Sequence, residues 1–461
     1  MTECYEVSNS SVIAFPTKQV RIPVNDGHVV YIPETSRVLH VNEATIKLLD
    51  ILTIPCTLKS ARRRLKNLGL SPGPGELEEV LKVLIQKKCL ICNGDFLSEK
   101  LSAETKQPLS YEVPRYASVH LTDRCNLSCI YCYNKRFRSK SKRNELSVNH
   151  WRRLIESLLE SGVDQITVTG GEPLLRPDLL PIFSEARRSG AKLGLITNGC
   201  LVEETGIVEI VDAFDSVTLS LDSHLEDVAD TLRGAGSYTL ALSALKSLSR
   251  TGIQVRVNCV VTKLNVDDYQ ESRRFFLEKG ACSVIPMILQ PASSKDLDLR
   301  PTAEQLELFL DKNYDVLTSE CGYEELYNNS KIGWVGRKRS CGAAVSEFAV
   351  GSDGTVYPCR MLMESEFAGG NMLEEDLQNI WTSSSVLDSV RKLTYDSIEE
   401  CKNCDFFNIC IGGCRGSAFK ITGELGGWIG PELCHENMQF LRHKLVIAMR
   451  AVQEKGMENA K

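Results

Sequence analysis

Cys125, Cys129 and Cys132 lie in the stretch from Val119 to Tyr133, VHLTDRCNLSCIYCY, with gaps of three and two residues between them. A short β-like run precedes them, so the three thiols fall on one tight loop. Three thiolates on such a loop hold three corners of a [4Fe–4S] cube and leave the fourth iron without a protein ligand, where chemistry can occur. The competing readings are a structural zinc site, completed by His120, and ordinary buried thiols. Zinc sites usually pair two CxxC-like knuckles, which this spacing does not provide. A second concentration follows near the carboxyl end: Cys341, Gly354-x4-Cys359, Cys401-x2-Cys404-x5-Cys410-x3-Cys414 and Cys434. Seven cysteines make one site of four thiolates and one of three.

With TGGEPLL at 169–175, the first triplet resembles the radical S-adenosylmethionine (SAM) superfamily over roughly residues 117–300. The resemblance implies that SAM chelates the open iron through its amino and carboxylate groups, making Cys125, Cys129 and Cys132 the catalytic centre. It also implies SAM contacts along the strand ends. Gly170 and Gly171 let backbone approach closely, and Glu172 accepts from the cationic amino group. Tyr131 faces adenine, Asn198 of ITNG and Ser220 of VTLSLD hold ribose and carboxylate, and Arg233 of DTLRGAGSY pairs with the SAM carboxylate. Asp222 is structural. The plain alternatives are an ordinary βα loop for the glycines, a core position for Tyr131 and a surface charge for Arg233. The carboxyl-terminal cysteines resemble the SPASM extension of subtilosin, pyrroloquinoline quinone, anaerobic sulfatase and mycofactocin maturases. That resemblance implies two auxiliary iron–sulfur clusters, both [4Fe–4S]. Cys401, Cys404, Cys410 and Cys434 hold the complete one, and Cys341, Cys359 and Cys414 the incomplete one. Full SPASM domains often carry an eighth cysteine between the first two, which this chain lacks. The fourth ligand then comes from Cys321 or a carboxylate, or the iron stays open to a substrate thiolate.

The elements that must position these residues fit an α/β chain. With 461 residues, 43% of them hydrophobic, two or three domains are expected. Strand-like runs at 117–121, 165–169, 192–196, 216–221, 254–261 and 283–289 alternate with helical patterns such as 151–159 and 240–248. This is the rhythm of parallel βα units, and the resemblance makes it a partial (β/α)6 radical SAM barrel. Upstream, VRIPV, HVVYIP and RVLHVN read as three strands. A helix follows with Ala44, Leu48, Leu49 and Leu52 on one stripe and Asn42 as cap, and another carries Leu77, Val80, Leu81 and Leu84 after Gly75. Between them, residues 58–69 carry a basic helix. Together these elements predict an N-terminal winged helix-turn-helix domain, and the cysteine-rich auxiliary-cluster domain closes the chain. The expected division is 1–96 for peptide recognition, 97–114 for a linker, 115–320 for the barrel and 321–461 for the SPASM domain.

A winged helix-turn-helix binds DNA or captures an extended peptide at its sheet edge. The order of elements resembles the recognition element of ribosomal-peptide maturation systems, so the expected partner is a precursor peptide with a leader, and no nucleic acid. An electron donor such as flavodoxin or ferredoxin is also expected. The basic run KRFRSKSKR at 135–143 is a solvated segment or an attractor of acidic peptide, and Cys89-x2-Cys92 reads as two core thiols. Eighteen cysteines without a signal-like start, and no apolar run long enough for a membrane span, point to reduced thiols in the cytoplasm and no membrane. The expected reaction is an intramolecular thioether cross-link in the peptide, with a carbon–carbon or carbon–oxygen cross-link as the alternative. Sulfatase activation fits less well: those maturases carry an aspartate base after the cysteine of the Gx4C motif, and here Arg360 follows Cys359. An iron–sulfur DNA regulator would leave GGEP and Arg233 without a role.

Overall fold

The structure, a computed structural model, describes residues 11–16, 18–24, 27–33, 37–73, 75–86, 89–92, 114–134, 145–313, 341–393, 397–410 and 412–458. The basic run at 135–143, Cys321 and nearly all of the expected linker lie outside the described residues.

Near the amino end, Val12–Ala14 (β1) begins a small sheet that the sequence did not signal. The three expected strands are Val20–Val24 (β2), Gly27–Ile32 (β3) and Arg37–Val41 (β4), paired antiparallel with β3 in the centre. Helices Glu43–Leu52 (α1), Leu58–Asn67 (α2) and Glu76–Gln86 (α3) follow, and Cys56–Thr57 (β5) and Ile91–Cys92 (β6) flank β1. Asn42 caps α1 by accepting from the Thr45 amide at 2.9 Å. The inward stripe of α1 is rotated from the expected one: Ile46, Leu48, Leu49 and Leu52 are buried, while Ala44 in the first turn is exposed. Because alternate strand residues point to opposite faces, β3 feeds two cores. Val30 and Ile32 pack with the three helices. Val29 and Tyr31 pack against the carboxyl-terminal part of the chain.

The six expected parallel strands are Tyr116–His120 (β7), Gln165–Thr169 (β8), Lys192–Thr197 (β9), Ser216–Ser220 (β10), Gln254–Val261 (β11) and Ser283–Ile288 (β12), adjacent in sequence order. Helices such as Val148–Glu160 (α4), Leu180–Arg188 (α5), Glu226–Arg233 (α6), Ser237–Ser249 (α7) and Tyr269–Glu278 (α8) connect them. Trp151, Leu154, Ile155 and Leu158 of α4 are buried against the strands. Each such aliphatic side chain contributes about 1.5–3 kcal/mol.

The sheet does not stop at the expected boundary near residue 320. Glu347–Val350 (β13) pairs parallel with β7, placing Glu347 beside Tyr116 and Val350 beside Val119. Thr355–Tyr357 (β14) and Gly370–Asn371 (β15) extend it antiparallel, giving nine strands in the order β12-β11-β10-β9-β8-β7-β13-β14-β15. Helices Arg415–Thr422 (α9) and Pro431–Glu458 (α10) complete the chain. Leu441 and Leu445 of α10 join Phe406 and Ile409 to cover Val29, Tyr31 and Val38. The Tyr31 and Phe406 rings stack with centroids 6.3 Å apart. Among the described residues no helix is long and apolar enough to cross a membrane.

Candidate active site

The loop after β7 carries Cys125, Cys129 and Cys132 at the carboxyl end of the parallel strands, and charged side chains hold it. Arg124 grips Glu145 in a two-pronged bond, Nε to Oε1 at 2.8 Å and Nη2 to Oε2 at 3.0 Å. Thr122 donates to the same carboxylate, and Arg176 stands 3.6 Å from it. Ser352 Oγ donates to Asp123 at 3.0 Å, tying the loop to the segment after β13. The Ile130 amide bonds the Leu232 carbonyl at 3.0 Å, tying it to α6.

The glycines of TGGEP come close to this loop. A Cβ at Gly171 would stand 1.9 Å from the Arg124 carbonyl oxygen, and one at Gly170, whose φ is +140°, would stand 2.6 Å from that of Thr122. Only glycine fits either position. The Gly171 and Glu172 amides donate to the Thr122 and Arg124 carbonyls at 2.7 and 2.8 Å. Glu172 is fully buried, and its carboxylate accepts from Leu174 N, Thr197 Oγ1 and Asn198 N at 3.1, 2.7 and 2.9 Å. Burial pushes its pKa up against these three bonds. Glu172 therefore knits strand ends together.

Arg233 is 8% exposed, which removes the surface-charge reading. It forms a forked pair with Asp222, Nε to Oδ2 at 2.7 Å and Nη2 to Oδ1 at 3.1 Å, and Asp222 also takes the Tyr131 hydroxyl proton bond. The guanidinium lies 5.7 Å from the centre of the Tyr131 ring. Despite the cost of burial, Asp222 holds the Arg233 pKa well above its ordinary value. Asn198 Nδ2 donates to Asn126 Oδ1 at 2.7 Å. Ser220 lines the same space.

These residues border one chamber of about 660 Å³. Cys125, Cys129, Cys132, Tyr131, Gly170, Gly171, Asn198, Ser220 and Arg233 all line it, and so do Cys341, Cys359 and Cys414. Glu172 does not. The chamber is large enough for a small cofactor together with part of a substrate. Its donor set suits an iron–sulfur cluster, with thiols on a fixed loop, and a zwitterionic cofactor, with a buried arginine and strand-end polar groups.

Comparison with known proteins decides the family. The radical SAM superfamily matches residues 119–276, and the iron–sulfur cluster-binding SPASM domain matches 341–405. The mycofactocin maturase MftC of Mycolicibacterium smegmatis is 30% identical over 347 residues, covering 71% of this chain and 87% of that protein. The chain belongs to the radical SAM superfamily. The PqqA peptide cyclase of Streptomyces rochei is 29% identical, covering 66% of this chain and 85% of its own length. In fold, the chain is similar to Streptococcus suis SuiB bound to precursor peptide SuiA, with TM-score 0.56, 17% identity, and coverage of 91% and 99%. It is also similar to native anSMEcpe with bound AdoMet and Cp18Cys peptide, with TM-score 0.59, 19% identity, and coverage of 74% and 99%.

As a radical SAM enzyme with a SPASM domain, the protein uses SAM and iron–sulfur clusters. The SPASM thiols border two different cavities. Cys401, Cys404, Cys410 and Cys434 border one small cavity with Phe406, Trp428 and Met438. Cys341, Cys359 and Cys414 border the main chamber, and burial pushes the Cys359 thiol up to about 12. Between the groups stands Arg415, 5% exposed, donating to the Gly427 carbonyl at 3.0 Å and also to that of Gly412. No spacing rule pointed to Arg415, to Glu347 or to Asn126. Their positions follow from which strands and turns meet, and the one available signal was that Arg415 follows Cys414 directly.

Proposed function

We propose that this enzyme cross-links a ribosomally made precursor peptide oxidatively, most simply through a thioether from a cysteine sulfur to carbon. The observation that carries the reading is the single chamber bordered at once by the Cys125 triplet and by Cys341, Cys359 and Cys414. One relative is by its name a maturase and another a peptide cyclase, which supports a peptide substrate. When bound, the SAM and cluster pair supplies a 5′-deoxyadenosyl radical that takes a hydrogen from an unactivated C–H bond, and the auxiliary clusters supply an acceptor for the electron left over.

The chain's own residues do the placing. Cys125, Cys129 and Cys132 hold the catalytic cluster. Tyr131, Gly170, Gly171, Asn198, Ser220 and Arg233 shape the SAM site, and Glu172 and Asp222 hold those strand ends in position. Cys401, Cys404, Cys410 and Cys434 form the complete auxiliary site, and Cys341, Cys359 and Cys414 the incomplete one. Residues 1–96 act as a winged helix-turn-helix that receives the leader as an added strand beside β2–β4, joined by the linker at 97–114 to the barrel at 115–320 and the SPASM domain at 321–461. Remote binding of the leader keeps the core peptide at the chamber at high effective concentration. A flavodoxin or ferredoxin delivers the electron, in the cytoplasm.

The test is mass spectrometry of the short peptide encoded beside this gene, after anaerobic turnover, before and after thiol alkylation. Loss of two hydrogens with one cysteine protected supports a thioether. Loss of two hydrogens with every cysteine reactive moves the product to a carbon–carbon or carbon–oxygen bond.

A further inference from the structure

Of the described residues bordering the chamber, Glu347 is the one carboxylate. Its place follows from the register of β13 and β14. Val350 faces Val356 and Ala349 faces Tyr357. Cys359 lies two residues beyond the end of β14, and it borders the same chamber as Glu347. The Cys341 turn wraps the same spot. The amides of Val345, Ser346 and Glu347 all reach the Gly342 carbonyl at 3.0 Å, and the Ala344 amide reaches the Glu347 and Pro358 carbonyls at 3.0 and 2.9 Å. Ala344 takes φ +55° to do so, the one non-glycine residue with positive φ among the described residues. A Cβ on Gly342 would stand 3.2 Å from the carboxyl carbon of Glu347. The turn that presents Cys341 thus holds the Glu347 backbone and sets its exposed side chain beside Gly342.

The Glu347 carboxylate makes no hydrogen bond or ion pair with a described residue, and desolvation pushes its pKa up against the opposing charge of Arg360. Cys341 and Cys359 both feel its charge. It is open to the chamber and to nothing else that would hold it.

We infer that Glu347 is the fourth ligand of the Cys341, Cys359 and Cys414 site, an oxygen donor that closes the cluster at rest and yields to a substrate group. The inference rests on the assignment of those three cysteines. A carboxylate oxygen is a harder donor than thiolate and binds cluster iron less firmly, so the ligand is displaceable where a fourth cysteine would not be.

The test uses the full chain carrying Cys125→Ala, Cys129→Ala and Cys132→Ala, reconstituted anaerobically, with iron counting and electron paramagnetic resonance after mild oxidation. With Glu347 present, both auxiliary clusters stay four-iron. Glu347→Gln loses about one iron per chain, and a three-iron signal rises several-fold over the parent. Glu347→Cys suppresses that signal and lowers the midpoint potential, which separates ligation from misfolding. A Glu347→Gln protein with the parent's spectrum and iron content, or a three-iron signal raised by Cys321→Ala instead, overturns the inference. Cys359→Ala reports on the site itself: unchanged iron there would overturn the cysteine assignment on which the ligand depends.

Discussion

Three buried charged or titratable residues near the chamber carry sharp consequences. Arg233 and Asp222 neutralise each other where neither has water, so removing one leaves an unpaired buried charge, at a cost of about 3–5 kcal/mol. Asp222→Asn is expected to lower unfolding stability by that order in a denaturant titration, and to weaken SAM binding by about tenfold or more in equilibrium dialysis. A SAM affinity equal to the parent's would show that the pair does not shape the cofactor site. His120, at the end of β7, is fully buried, and neither ring nitrogen has a hydrogen-bond partner among the described residues. Burial first, then Arg360, holds its pKa down to about 4 against an ordinary 6.5. The unfolded chain therefore binds more protons between these values, and stability is complete above pH 6.5 and falls as pH drops toward 4. The loss amounts to about 3 kcal/mol. Thermal melts of His120→Gln should show a smaller drop between pH 7 and pH 5 than the parent. Identical drops would place the acid sensitivity elsewhere.

At the scale of elements, the amino-terminal sheet is more than an appended module. One face of β3 belongs to its own helices, and the other, through Val29 and Tyr31, to the chain segment that presents Cys404 and Cys410. Truncating a buried aromatic of this kind costs about 3–5 kcal/mol. Tyr31→Ala is accordingly expected to lower the melting temperature and the iron held by the Cys401, Cys404, Cys410 and Cys434 site, measured on reconstituted protein. Full iron with a lowered melting temperature would mean that the sheet stabilises the chain without supporting that site. The β13 strand ties another part of the molecule together, since it pairs with β7 and brings Glu347 and Cys341 to the edge of the chamber.

Across the whole molecule, the sequence displayed the pieces whose spacing is local and hid those whose spacing is not. Short gaps are imposed wherever one loop must offer several thiols to one cluster, so the Cys125 triplet and the Cys401 series were legible. The six parallel strands were legible because buried apolar residues alternate along them with less buried ones, and the runs are separated by helical periods. Asp222 as the partner of Arg233, and Thr197 and Asn198 as partners of Glu172, depend on sheet order, which no local pattern records. The β13–β7 pairing, and with it Glu347, was hidden for the same reason: it joins strands more than two hundred residues apart. Separate cluster sites predict that alanine at Cys125, Cys129 and Cys132 abolishes SAM cleavage while iron remains in the SPASM domain; iron lost throughout would contradict two independent sites. The most direct test of the central claim is isotope transfer. The precursor peptide is prepared with deuterium on carbon and turned over anaerobically with SAM and reductant, and the 5′-deoxyadenosine is examined by mass spectrometry. Deuterium in the nucleoside, matched by a peptide short of two hydrogens, is the predicted result. Deuterium-free 5′-deoxyadenosine released alongside a peptide that has nonetheless been modified would contradict hydrogen abstraction from the peptide.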